Sequence, residues 1–167
     1  MKKVYLAGPD VFHPDAVAIA AHHKALCLSH GFTPLHPVDQ ELIEPQAIYA
    51  RNLALLNQAD AVLANVQAFR GAEPDSGTSF EIGYARAKNI PVICYQASCN
   101  SVIAAVEKFF GPVLYDQSTE VWLDEQGKLI EDFDLPLNLM LACSSTMVVG
   151  DLKHALCALQ KHFEILR

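Results

Sequence analysis

The chain has 167 residues, and 51% of them are apolar, enough to fill one sizeable core within one domain over 1–167. Its formal net charge is −7 and its twelve Lys and Arg are scattered, so it presents no basic stripe for a nucleic-acid polymer. No apolar run approaches the about 18 residues of a membrane span, and Met1-Lys2-Lys3-Val4 leads straight into a strand, so neither an anchor nor a signal peptide is expected.

In chain order, strands alternate with helices. Lys3 to Ala7 is a short strand that stops at Gly8-Pro9. Ala16 to Ser29 is Ala-rich and helical, and Gly31 falls where a left-handed stop is needed. Phe32 to Leu35 is the second strand, and Val38 to Pro45 an acidic loop. Gln46 to Gln58 is a helix, Ala61 to Asn65 the third strand, and Gly77 to Lys88 the next helix. Asn89 to Tyr95 contains a turn and the fourth strand. Asn100 caps a helix that runs to Phe110 and ends at Gly111, and Val113 to Tyr115 is the expected fifth strand. This β-α-β-α order predicts an α/β fold: a doubly wound parallel five-stranded sheet, flavodoxin-like in the order 2-1-3-4-5, with helices on both faces.

Beyond Asp116 the pattern is less regular. Glu120 to Ile130 reads as a hairpin turning at Gln126-Gly127, or as an excursion that packs on another subunit. Leu135 to Leu141 is apolar except for Asn138, whose amide needs partners. Asp151 to Leu166 is helical, with Leu152, Leu156, Leu159, Phe163 and Leu166 in one stripe. The five cysteines, Cys27, Cys94, Cys99, Cys143 and Cys157, form no CxxC pair, so reduced thiols in a cytoplasmic protein are expected rather than a zinc site or a disulfide framework.

The stretch from Phe69 to Lys88 carries the chemistry. It lies after the third strand and opens a helix, which in an open α/β sheet is the ligand-binding crevice at the strand carboxyl ends. Thr78 to Glu81 fits a capping box, in which Glu81 would reach back to the amide of Thr78 and Asp75-Ser76-Gly77 would be a turn. Against that purely structural reading stands the gathering of Glu73, Asp75 and Glu81 on one loop, where like charges raise each other's pKa. The first loop, Gly8-Pro9-Asp10, matches neither GxGxxG nor the phosphate-loop pattern. There is no HExxH spacing and no nucleophile elbow, and the histidines, mostly on helices, read as surface or packing residues. What remains is a carboxylate pair of the kind that cleaves glycosides. Glu81, at a helix start, would stay ionised and act as nucleophile, while Asp75, among other acids, would have a raised pKa and hand over a proton.

Val4 to Pro9, Ala59 to Ala64, Glu73 to Gly83 and Leu135 to Leu141 together resemble the nucleoside 2-deoxyribosyltransferase family. The resemblance implies a flavodoxin-like enzyme that moves deoxyribose between purine or pyrimidine bases through a covalent glycosyl-enzyme. It requires no cofactor, and its partners are nucleosides and free nucleobases. Carried over by position, Glu81 is the nucleophile, Asp75 the acid at the base, and Tyr5 the hydrogen-bond partner of the nucleophile. Asn138 would reach the sugar in a neighbouring subunit, so a homo-oligomer is implied, a dimer or a multiple of dimers. Phe12 is an aromatic wall for the base, and Gly8 and Gly77 complete the substrate-facing set. Asp60 matches another family acid or merely joins a helix to a strand, with Asn52 a further candidate for the same space. Arg70 would pair with Glu73. A related hydrolase of 2-deoxynucleoside 5-monophosphates would need a phosphate cradle that the Gly8-Pro9-Asp10 loop does not supply, and a non-catalytic α/β binding module would use the same acids as caps.

Overall fold

Short runs of β-branched and apolar residues, each closed by Gly, Pro or a polar cluster, form the central sheet, and Ala- and Leu-rich segments between them form the helices. The computed structural model describes residues 1–39, 44–98 and 100–165. The elements are β1 (Lys2–Ala7), α1 (Ala16–Ser29), β2 (Phe32–Leu35), α2 (Pro45–Leu56), β3 (Ala61–Asn65), α3 (Ser76–Ala87), β4 (Val92–Gln96) and α4 (Val102–Phe110), then β5 (Leu114–Asp116), β6 (Val121–Leu123), β7 (Leu129–Ile130), α5 (Leu139–Ala142), β8 (Thr146–Val149) and α6 (Leu152–Ile165). Short 3-10 turns occupy Pro9–Phe12 and Pro37–Asp39.

The five-stranded sheet runs β2-β1-β3-β4-β8 with every pair parallel. Its architecture is therefore the doubly wound one expected. The fifth strand, however, is Thr146–Val149 and not Val113–Tyr115. The Leu114–Asp116 strand instead pairs antiparallel with β6, and β6 with β7, in a separate three-stranded sheet. The hairpin forms as expected, with Trp122 opposite Ile130 and Gly127 at φ 75° in the turn. The cap of α4 is Ser101, whose Oγ accepts from the Ala104 amide at 3.2 Å, one residue after the expected Asn100. Leu166 and Cys99 lie outside the described residues, as does 40–43 of the acidic loop.

Strand alternation divides the core between the two faces. Val4, Leu6, Leu63, Ile93 and Tyr95 pack with Cys27 of α1 and with Leu152, Leu156 and Leu159 of α6. Tyr5, Ala7, Val62, Ala64 and Cys94 face the other way, onto Leu56 of α2 and Ile82 and Ala85 of α3. Tyr5 thus lies buried under α2 and α3, just below the rim where β1 ends at Ala7 and β3 at Asn65. At that rim Gly8 follows β1; a Cβ there would come within 2.8 Å of the Asn65 Cβ, so only glycine lets the chain turn so close to β3.

Candidate active site

A cavity of about 380 Å³ opens at the strand carboxyl ends between the Pro9–Phe12 turn, α2 and the start of α3. Its walls bring together Gly8, Phe12, Asn52, Asp75, Gly77 and Glu81, six of the residues singled out by sequence. Tyr5 supports the site from beneath: its hydroxyl donates to Glu81 Oε1 at 2.5 Å. Burial, then the adjacent Glu81 charge, pushes the Tyr5 phenol far up, so it remains a donor throughout the physiological range.

Glu81 is in the second turn of α3, beyond the exposed backbone donors of the helix start. Burial pushes its carboxyl up to about 7; the Tyr5 bond opposes that shift and the Asp75 charge adds to it. The expectation that a helix start would hold Glu81 ionised is thus overturned by desolvation, because the dipole fades within the first turn. Such a carboxylate is poorly solvated, short of hydrogen bonds and available to an electrophile.

The capping box does not form. The cap of α3 is Asp75, whose Oδ2 accepts from the Thr78 amide at 2.9 Å and from Thr78 Oγ1 at 3.1 Å. Glu81 turns to Tyr5 and the cavity instead of its own helix. Asp75 therefore does two things at once: it ends the loop and presents its carboxylate to the same cavity.

Phe12 forms one wall. Its ring stacks on Phe69 with centroids 5.3 Å apart, and the Arg70 guanidinium lies over both rings, 4.7 Å from Phe69 and 5.4 Å from Phe12. Arg70, at φ 55°, thus meets the aromatic pair and not Glu73.

Asp60 is not brought to the cavity. It precedes β3 at the opposite, amino end of the strands, where it accepts from Lys2 Nζ and the Lys3 amide, both at 2.8 Å. Of the two roles its sequence position allowed, it fills the structural one, and those bonds hold its carboxyl below the usual range although burial opposes them. Asn138 does not line this cavity within the chain either. It caps α5 through the Met140 amide at 3.0 Å, and its Nδ2 donates to Glu131 Oε1 at 2.6 Å.

Sequence reasoning missed Arg51, Ile48 and Val11, which also line the cavity. Arg51 donates to the backbone carbonyls of Pro37 at 2.5 Å and His36 at 3.3 Å, tying the second loop onto α2. Helical spacing from Ile48 through Arg51 and Asn52 was the available signal, since these positions share one face. Asn52 Oδ1 is the one buried side-chain oxygen or nitrogen without a hydrogen-bond partner among the described residues, and its residue lines the cavity. No group of three or more His, Cys, Asp or Glu among the described residues is arranged to hold a metal ion.

The family profile described as Nucleoside 2-deoxyribosyltransferase matches residues 4–140. A solved structure named as a 2-desoxiribosyltransferase from Leishmania mexicana is 32% identical and superposes with a TM-score of 0.79, covering 97% of this chain and 99% of that one. A Syntrophotalea carbinolica protein with the provisional name 2'-deoxynucleoside 5'-phosphate N-hydrolase 1 is 35% identical over 81 residues, 46% of this chain and 53% of its own. An uncharacterized protein of Schizosaccharomyces pombe is 32% identical over 99 residues, 53% of this chain and 47% of its own. The matched stretches thus span about half the length of these two curated relatives.

Proposed function

Because the chain belongs to the nucleoside 2-deoxyribosyltransferase family, whose members are enzymes acting on nucleosides, we propose that it transfers 2-deoxyribose between nucleobases through an ester on Glu81. The observation that carries this reading is the desolvated Glu81 carboxylate, held by the Tyr5 hydroxyl on the wall of a cavity it shares with Asp75. In its ionised form Glu81 attacks the anomeric carbon, the carbon–nitrogen bond breaks, and the electron pair leaves with the base. A proton delivered to a ring nitrogen from Asp75 makes that base a better leaving group. A second base, bound against Phe12, then attacks the anomeric carbon and gives its ring proton back to Asp75, and the carbon–oxygen bond to Glu81 breaks to regenerate the carboxylate. Tyr5 keeps one carboxylate oxygen fixed so that the other is aimed at the sugar.

A hydrolase of deoxynucleoside 5'-phosphates is the second reading. It is favoured by the name of the S. carbinolica relative and by the Arg51 guanidinium in the cavity wall. Two of that guanidinium's donors are spent on the carbonyls of Pro37 and His36, which leaves transfer the better-supported reaction. Incubating the protein with deoxyinosine or its 5'-phosphate, with and without adenine, separates them: transfer converts deoxyinosine and adenine to deoxyadenosine, whereas hydrolysis of the 5'-phosphate yields deoxyribose 5-phosphate whether or not adenine is present. Cleavage of deoxynucleoside 5'-phosphates alone, with no exchange, would overturn the transferase reading.

The working unit we propose is a cytoplasmic homo-oligomer, a dimer or a multiple of dimers, in which Asn138 reaches a neighbouring subunit's site. Helix α4 contains no buried residue although it is largely apolar, and Phe110, Leu114 and Met140 are exposed, which is surface of the kind subunits cover. Cys27, Cys94, Cys143 and Cys157 are free thiols, as suits the cytoplasm. No helix among the described residues is long and apolar enough to cross a membrane.

A further inference from the structure

Across the Pro9–Phe12 turn from Glu81, on the α1 and α6 face of the sheet rim, lies a second cavity of about 270 Å³. Tyr95 at the end of β4, Leu26 of α1 and Leu152 of α6 line it, together with Asp10, His23 and Asp151. The turn is a shared wall, since Asp10 faces this cavity while Gly8, Val11 and Phe12 face the other.

Tyr95 is only 7% exposed, and its hydroxyl makes no hydrogen bond with any described residue. The ring is buried but the hydroxyl oxygen is open to the cavity, where it is free to bond a ligand or water. Burial first, then the charge of Asp10, with Cys27 and Asp151 contributing, holds its pKa well up, so the hydroxyl is intact and both carboxylates act on it. The acids themselves are anchored. Asp10 accepts from Asn65 Nδ2 at 3.2 Å through Oδ1 and 3.1 Å through Oδ2, and Asp151 Oδ1 accepts from the His154 amide at 3.1 Å and meets His154 Nδ1 at 2.6 Å, which leaves its Oδ2 for a ligand. Each carboxylate has further lone pairs to offer.

The sign of the ligand follows from these groups. The start of α6 would attract an anion, but Asp151 already places a carboxylate there, and Asp10 adds another to the same cavity. Asn65, Gln67 and the exposed His22 and Lys153 complete the polar lining, in which two carboxylates stand against one ammonium. Burial lowers the pKa of His23, which therefore remains neutral and able to accept.

We propose that this cavity binds a small organic cation through a primary ammonium group. An ammonium offers three donors, matched by the carboxylates of Asp10 and Asp151 and the phenolic oxygen of Tyr95. The alkyl part of the ligand lies on Leu26 and Leu152. This assignment is independent of the reaction at Glu81.

Calorimetric titration of the full chain with 1,4-diaminobutane, at fixed ionic strength, tests it against 1,4-butanediol as the uncharged counterpart. The expected result is saturable binding of the diamine at one site and none of the diol. Asp10→Asn should weaken binding roughly tenfold, as loss of a charge-assisted bond does, and Tyr95→Phe severalfold. Glu81→Gln should leave it unchanged. Tyr95→Phe removes a single oxygen, so it decides the matter even if Asp10→Asn disturbs the turn. Absence of saturation, equal binding of the diol, undiminished binding by folded Tyr95→Phe protein, or loss of binding in Glu81→Gln would each overturn the proposal.

Discussion

At the scale of single residues, the account rests on Glu81 and the hydroxyl that touches it. Its carboxyl, raised to about 7, must lose its proton before it can attack, so the first chemical step should accelerate as pH rises through about 7. Tyr5→Phe removes the bond that opposes this rise, so that acidic limb should move to higher pH while the buried ring still packs. A pH–rate profile of base release checks both; a Tyr5→Phe limb unchanged or shifted downward would contradict them. Stability gives an independent readout. Below the ordinary carboxylate pKa, Glu81 is protonated in both folded and unfolded chains and costs nothing. Between about 4.5 and 7 the unfolded chain ionises while the folded one keeps its proton, so stability falls as pH rises. Glu81→Gln should therefore match wild type near pH 4 and be more stable above pH 7, by at most about 3 kcal/mol, as read by melting temperature. The acids themselves were legible in the sequence. Their electrostatics were not, because the raised pKa comes from burial beneath α2 and from distance along α3, neither of which local spacing encodes.

Elements explain why the residues meet. Helix α3 starts at Asp75, so one side chain both terminates the loop and faces the cavity. The two roles can be separated. Asparagine caps about as well as aspartate, so Asp75→Asn should change stability by only a few tenths of a kcal/mol while base release falls roughly 10²–10⁴-fold. Asp75→Ala should lose about 1 kcal/mol as well. An Asp75→Asn protein with full activity would restrict Asp75 to its structural role. The capping box that Thr78 to Glu81 offered as the alternative to a site role does not form, because the helix takes a cap three residues earlier and Glu81 turns to Tyr5 of β1. Strands β1 to β4 were readable from their short apolar runs bounded by Gly, Pro and Asx. The fifth was not: Thr146–Val149 is half exposed and edge-lying, whereas Leu114–Asp116 has equal β character but pairs with the hairpin. The face of α2 that carries Arg51 and Asn52 into the cavity became visible only once that helix was seated against the loop after β2.

For the whole molecule, the sheet places two cavities at one rim, on either side of the Pro9–Phe12 turn, and leaves an apolar surface around α4 and the small sheet. If subunits complete one another's sites, Phe110→Glu should dissociate the assembly in sedimentation and lower exchange, and Asn138→Ala should raise the Michaelis constant for the deoxynucleoside with the fold preserved. A wild-type protein that is monomeric and fully active would contradict the oligomer proposal. The doubly wound order was legible because strand–helix alternation leaves few alternatives; the uncovered face of α4 was not, since an apolar helix reads as core until its neighbours are seen to leave it exposed. The chemistry of the whole account comes down to one bond, and peptide mass spectrometry looks for it directly. Protein quenched in acid during reaction with deoxyinosine, without an acceptor base, should carry one dehydrated deoxyribose on the peptide containing Glu81, and adding adenine before the quench should discharge it as deoxyadenosine. Base exchange that proceeds with no adduct on that peptide, or with undiminished rate in Glu81→Gln, would contradict a covalent role for Glu81.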